Sequence, residues 1–141
     1  MKKIKGFTII ELLIVMAVIA VLIGIAIPSF RGMQTEAWRT KADGDVRVIK
    51  IGLESYYKNH GAYPAATGYM STLRSEPAAI IDADLKDPFK PSDDYSYALS
   101  TSGSYYVVYS VGVGATGAMT ISDTGSAETT AGSPIYTTNG W

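Results

Sequence analysis

Apolar and polar positions divide the chain into three stretches of different character. Met1-Lys2-Lys3-Ile4-Lys5-Gly6 is short and basic, and Phe7 to Ile27 then runs for 21 residues in which only Thr8 and Glu11 are conspicuously polar. As a helix that run is roughly 31 Å long, enough to cross the hydrocarbon core of a bilayer. Pro28-Ser29 closes it. A proline lacks an N–H and crowds the preceding turn, so a kink or a locally melted turn is predicted at Pro28. Beyond it the pattern becomes amphipathic. Phe30, Met33, Ala37, Trp38, Ala42, Val46, Ile49, Leu53 and Tyr56-Tyr57 recur mostly every three or four residues, one face of a helix. Arg39, Lys41, Asp43, Asp45, Arg47, Lys50, Glu54 and Lys58 flank that stripe. Asn59-His60-Gly61 is the predicted stop. Gly24, Gly32, Gly44 and Gly52 spot the helix and predict compliance. The stripe is too broad and glycine-rich for regular heptads, so it is expected to pack on the domain downstream of residue 60.

From residue 60 onward the period shortens. A short helix is predicted near Met70–Arg74, and Asp82 to Pro91 is punctuated by prolines and reads as irregular. Tyr95–Leu99 alternates as a strand, and Ser100-Thr101-Ser102-Gly103 reads as a turn. Tyr105–Val111 is the strongest strand pattern in the chain, with Met119–Ile121 a third strand. Ser122 to Gly140, rich in Gly, Ser and Thr, is read as a tail. An antiparallel sheet laid across the amphipathic helix would bury both apolar faces. The expected fold class is α+β: a long N-terminal helix packed on a small sheet. The expected organisation is 1–6 leader, 7–28 membrane-spanning helix, 29–59 amphipathic helix and 60–141 α+β domain.

Composition narrows the chemistry. The chain has 141 residues, 47% of them hydrophobic, and a net charge of −1. Such a balance gives no basic surface for nucleic acid. With no cysteine and His60 the single histidine, disulfides, thiolate metal sites and His-pair sites are excluded, and an enzyme is not expected. Gly112-Val113-Gly114-Ala115-Thr116-Gly117 matches GxGxxG, but no helix is predicted after it to receive a pyrophosphate, so turn glycines are expected. Asp82, Asp84, Asp87, Asp93 and Asp94 lack the spacing of a calcium loop and read as solvated. The ten tyrosines are expected to cover the sheet and make subunit contacts.

The apolar segment admits three readings. A secretory signal would be cut after Gly24-Ile25-Ala26, and a signal-anchor would stay in place with a periplasmic binding module beyond it. Neither uses Glu11, although a carboxylate at the centre of a span costs roughly 2.5–3.5 kcal/mol. The third reading gives it a purpose. Lys5-Gly6-Phe7-Thr8-Ile9-Ile10-Glu11-Leu12-Leu13-Ile14-Val15 closely resembles the processing and assembly signature of type IV pilins and type II secretion pseudopilins.

The resemblance implies that a prepilin peptidase cuts after Gly6 and that the new amino terminus at Phe7 is N-methylated. Loss of Lys2, Lys3 and Lys5 takes the formal charge from −1 to −4. It also implies assembly through Glu11, which would sit against the Phe7 amine of a neighbouring subunit, with Thr8 bonding at the helix start. Tyr56 to Pro64, Lys86-Asp87-Pro88-Phe89, Tyr95-Ser96-Tyr97, Tyr105 to Gly112 and Asn139-Gly140-Trp141 look like pieces of the major pseudopilins. Many type IV pilins close a C-terminal loop with a disulfide, which this chain cannot form. Family members often bind calcium through an Asp-rich loop. Here Gly114 stands where an Asp would be expected, leaving Asp123 and Ser126 as ligand candidates for calcium.

The function so implied is that of a structural subunit of a type II secretion pseudopilus. Such a subunit is held single-pass in the cytoplasmic (inner) membrane of a bacterium with its bulk in the periplasm, then polymerises with itself through the N-terminal helix into a periplasmic filament. Growth of the filament would export folded proteins across the outer membrane. The partners implied are the prepilin peptidase, minor pseudopilins, an inner-membrane assembly platform and a separate cytoplasmic ATPase. A type IV pilin of a surface pilus, serving adhesion, motility or DNA uptake, is the alternative, with the signal-anchored periplasmic module a third.

Overall fold

A computed structural model describes residues 6–75, 80–81 and 85–140. In chain order the elements are α1 (Ile9–His60), α2 (Tyr69–Ser75), β1 (Ser96–Leu99), β2 (Tyr106–Ser110), β3 (Ala118–Ile121), β4 (Ala127–Ala131) and β5 (Ile135–Thr138). The chain forms two compact units, Met1–Glu36 and Ala37–Trp141, and the division falls inside α1. The leader lysines, Asp82, Asp84 and Trp141 lie outside the described residues.

In the first unit α1 is apolar on every side and covered on none. Its large side chains from Ile9 to Phe30 are all exposed. Among the described residues this is the one helix long and apolar enough to cross a membrane, and a helix apolar all round is made for lipid or for other helices. No melted turn is found at Pro28: α1 passes through it as helix. Proline removes one N–H, so one bond to the carbonyl of Gly24 is lost. That residue has open space around it, and the bonds on either side hold the turn.

In the second unit the helix folds as its stripe predicts. Ala42, Val46, Ile49 and Leu53, spaced four, three and four apart, are fully buried. They meet Tyr69, Met70 and Leu73 of α2, together with Ile81, Tyr95, Tyr106 and Val108. Gly52 serves this packing rather than compliance. A Cβ there would lie 2.7 Å from Cδ1 of Ile81, whereas Gly24, Gly32 and Gly44 have nothing within 4 Å.

The strands form a three-stranded antiparallel sheet in the order β1-β2-β5 and a separate β3-β4 hairpin. Ala98 stands opposite Val107, and Val108 opposite Thr137. Side chains alternate along β2: Tyr106 and Val108 join the helix core, while Val107 turns to Met119 and Ile121 of β3. The hairpin thus covers the sheet face that the helix does not, which is why the central strand is apolar without alternation. Met119 and Ile121 are buried and Thr120 is exposed, a half-buried strand.

The stretch read as a tail contains β4 and β5. Ala127-Glu128-Thr129-Thr130-Ala131 carries no apolar stripe because most of it faces solvent, so its pairing with β3 leaves no mark on the hydropathy pattern. Gly112–Gly117 is a turn, as expected. Gly112 and Gly114 have φ near 69° and 84°, and Gly117 N–H donates to the Val111 carbonyl at 2.7 Å. Ala115 also has positive φ, at 54°.

Candidate functional site

The residues that carry the processing signature sit at the start of α1. Gly6 has no neighbouring atom that a side chain would meet within 4 Å, and Phe7 is 92% exposed. The helix begins at Ile9, which makes Thr8 the N-cap and places Glu11 at the third helical position. These two residues bond reciprocally. Oε2 of Glu11 accepts from the Thr8 backbone N–H at 2.8 Å and from the Thr8 hydroxyl at 2.6 Å, while Oγ1 of Thr8 accepts from the Glu11 N–H at 3.3 Å. Leu12 N–H donates to the Thr8 carbonyl at 3.3 Å. This is a capping box. Its sequence mark is Thr-x-x-Glu before an apolar run, which is present in Thr8-Ile9-Ile10-Glu11.

The box satisfies N–H groups that the first helical turn leaves without partners. It also fixes the carboxylate against its own backbone at the positive end of the helix dipole. The carboxylate makes these bonds through Oε2, and among the described residues no hydrogen bond is made by Oε1. The remaining oxygen is an acceptor suited to an ammonium group. Sequence reasoning foresaw a bond from Thr8 at the helix start and missed the reciprocity.

The calcium candidates are brought together but do not fit the ion. Asp123 and Ser126 lie on the turn that joins β3 to β4. Oδ1 of Asp123 accepts from the Ser102 N–H at 2.6 Å, and this bond holds the carboxyl below the usual carboxylate range. Ser126 spends its N–H on the Ser122 hydroxyl at 3.2 Å and its carbonyl on the Ser122 N–H at 3.0 Å. Oδ1 of Asp123 is thus bonded to a donor, and Ser126 is the one other candidate on the turn, where calcium requires six to eight oxygens. Among the described residues no group of three His, Cys, Asp or Glu is placed to hold a metal.

Asp87, read as solvated, is instead structural, and so are three of the charged residues that flank the stripe of α1. Asp87 is buried, with Oδ1 accepting from the Ser110 hydroxyl at 2.8 Å and the Phe89 N–H at 2.9 Å, and Oδ2 accepting from the Val111 N–H at 2.8 Å. Glu54 accepts from the hydroxyls of Tyr106 at 2.8 Å and Tyr63 at 3.2 Å. Lys50 donates to the Thr138 carbonyl at 2.7 Å, and the Tyr95 hydroxyl donates to Asp45 at 2.7 Å. Each of these helix residues stands at the edge of the apolar stripe, where a long or bent side chain reaches inward; spacing alone does not reveal that. The tyrosines they hold are close. Rings of Tyr57, Tyr63, Tyr106, Tyr97 and Tyr69 succeed one another at centroid separations of 4.6 to 6.0 Å. Burial, aided by the Glu54 charge, pushes the Tyr63 hydroxyl up to about 12. His60 stays at the surface, its ring stacked on Tyr56 at 4.1 Å.

Residues 1–27 match the prokaryotic N-terminal methylation motif. The chain is 28% identical over 79 residues to the type II secretion system core protein G of Klebsiella pneumoniae, covering 56% of each chain. It is 29% identical over 73 residues to the protein of the same name from Pseudomonas aeruginosa, covering 52% of this chain and 51% of that one. It is 37% identical over 60 residues to the type IV major pilin protein PilE1 of Neisseria gonorrhoeae, covering 43% of this chain and 36% of the pilin. The chain thus spans about half the length of the type II secretion relatives it matches. No solved structure matches it.

Proposed function

We propose that this chain, a structural and non-enzymatic subunit of the pilin and pseudopilin class, polymerises with itself into a type II secretion pseudopilus that drives export of folded proteins. The observation that carries the choice of branch is the extent of similarity. A core protein G match of 79 residues must include residues beyond His60, where α1 ends. The pilin match, of 60 residues, is no longer than the leader and helix that both branches share. Its higher identity favours a surface pilin as the second reading.

The proposed sequence of events begins with a peptidase cutting between Gly6 and Phe7. Phe7 then carries an ammonium group two residues from the start of α1, and a methyl group is added to that nitrogen. In the membrane the carboxylate of Glu11 is held by Thr8 and keeps one oxygen for a partner. In the filament that partner is the Phe7 ammonium of a neighbouring subunit. Neither charge is stable alone in a dry helical core, and pairing offsets much of the desolvation of both. A subunit in the wrong stagger leaves both unpaired, so the pair sets register more than it adds stability. An inner-membrane platform, minor pseudopilins and a cytoplasmic ATPase are the partners this scheme requires.

Two measurements test it. Intact mass of the mature protein should begin at Phe7 with one added methyl group; a chain left uncut, or cut after Ala26, removes the whole reading. In a deletion strain, secreted proteins should be trapped in the periplasm; lost motility or adhesion with secretion intact would move the protein to the surface pilins. Glu11→Ala should be cleaved yet fail in assembly or methylation, and wild-type filament yield from that variant would sink the role given to Glu11.

A further inference from the structure

The turn between β3 and β4 is tied to the rest of its unit by hydrogen bonds. Several of its oxygens accept bonds from within the unit. The Ser122 carbonyl accepts from the Gly125 N–H at 3.1 Å, the Ser126 carbonyl accepts from the Ser122 N–H at 3.0 Å, and the Ser122 and Thr124 hydroxyls bond to each other at 2.7 Å. The one side-chain anion on the turn, Asp123, lies against the turn between β1 and β2. Oδ1 takes the Ser102 N–H at 2.6 Å, and the Thr101 N–H and the Ser100 and Ser102 hydroxyls also bear on the carboxylate. Backbone N–H groups gathered on one side make an anion-binding concavity. They would repel a divalent ion placed at the same carboxylate.

Two further contacts pack the base of the turn at Gly125. Gly125, with φ near 85°, lies under the ring of Tyr105, where a Cβ would come within 2.9 Å of Cε1. A Cβ on Gly140 would strike the Gly125 carbonyl. Asn139, beside it, receives the Tyr106 N–H on Oδ1 at 2.8 Å and donates through Nδ2 to the Ser104 carbonyl at 3.0 Å and the Tyr63 hydroxyl at 3.1 Å. Asp123 and Asn139 therefore converge on the same segment, Ser100 to Tyr106, from two parts of the chain.

We infer that Asp123 is an anionic clasp: it fastens the β3–β4 turn to the β1–β2 turn as a hydrogen-bond acceptor, so that the fold is complete without calcium. The chemistry that a bridging cation would supply, a shared charge between two loops, is supplied by the carboxylate on one loop and the N–H groups on the other. This inference stands apart from the pseudopilus reading, because it concerns how the unit is held together and holds equally for a surface pilin.

The test uses the full chain in detergent, melted in EDTA and in excess calcium chloride and followed by circular dichroism. Wild-type protein should give the same Tm in both. Asp123→Ala should melt a few degrees lower, by the same amount in both, and Asp123→Asn, which keeps an acceptor oxygen for Ser102, should fall between them. Calcium raising the wild-type Tm, with the gain lost in Asp123→Asn, would overturn the inference. A Tm for Asp123→Ala equal to that of wild type would overturn it from the other side. Amide exchange at Ser102 gives a readout that does not depend on the alanine variant folding. The amide should be protected in wild-type protein in EDTA, and free exchange there would refute the clasp.

Discussion

Replacing Glu54 with alanine probes a polar contact of the interior, because it strands the hydroxyl of a buried tyrosine. Tyr106 is fully buried, and its hydroxyl donates to the Glu54 carboxylate at 2.8 Å. A hydrogen bond to a charged group is worth about 1.5–3 kcal/mol net, and a buried donor left unmade costs about 1–3 kcal/mol. These describe the same loss from two sides and are not added. The Tyr63 bond, at 3.2 Å and half-buried, contributes less, on the order of 0.5 kcal/mol. Glu54→Ala should therefore cost about 2–3 kcal/mol, which for a unit of this size lowers Tm by roughly 10–20 °C. Glu54→Gln keeps an acceptor but not the charge and should cost about 1 kcal/mol. Tyr106→Phe removes donor and demand together and should cost no more. The assay is equilibrium urea unfolding of the detergent-solubilised chain, followed by near-ultraviolet circular dichroism, with Glu54→Ala and Tyr106→Phe combined in a double-mutant cycle. A coupling of about 1 kcal/mol is expected. Zero coupling, or a Glu54→Ala variant within about 0.5 kcal/mol of wild type, would refute the bond as a structural element.

Three further outcomes are expected. Ile49 is fully buried and Ile51, two residues on, is 70% exposed, so Ile49→Ala should cost about 2–5 kcal/mol and Ile51→Ala less than about 0.5 kcal/mol in urea unfolding of the detergent-solubilised chain. In alkali, burial raises Tyr63 to about 12 and moves Tyr69, Tyr95, Tyr97 and Tyr106 upward as well. The unfolded chain releases these protons first, near pH 10, so their stabilisation is whole below about pH 10 and is lost as pH climbs toward the folded values. Tyrosinate absorbance should then rise late and together with unfolding, and one smooth titration of all ten tyrosines with unchanged circular dichroism would contradict it. At the β2–β3 turn, Gly112→Ala would drive a Cβ into the Ser133 carbonyl at positive φ and should lower Tm clearly. Ala115→Gly relieves a left-handed alanine worth about 1–2 kcal/mol at the expense of chain entropy of about 0.4–1 kcal/mol, and should leave Tm unchanged or higher.

What the sequence disclosed, and what it withheld, divides along one physical line. Burial in bulk writes itself into periodicity. Ala42, Val46, Ile49 and Leu53 announce their helix face, and the unbroken apolar run of β2 announces a strand covered on both sides. Glu11 is legible for a similar reason, since one charge in 21 apolar residues stands out. Polar groups that fold inward write nothing. Glu54, Lys50 and Asp45 have the same spacing they would have on a wet face, and their reach is decided by partners from distant segments. β4 was lost because a solvated strand paired to one neighbour needs no apolar residue. The capping box is legible too, since Thr8 and Glu11 stand at the required interval before an apolar run.

The pairing of β2 with β5 has a consequence in the order of synthesis. Val107 to Ser110 bond to Ile135–Thr138 on one side and to β1 on the other. Strand β1 precedes β2 in the chain and β5 comes after it, so a nascent chain holds a two-stranded sheet with an open edge until translation passes Thr138. Ribosomes add about 5–20 residues per second, which leaves that edge bare for seconds. The edge belongs to Tyr106-Val107-Val108-Tyr109-Ser110, an uncharged segment of high strand propensity, the kind that pairs with copies of itself. Premature termination between Ser110 and Ile135 should therefore yield an aggregating product rather than a shorter soluble one.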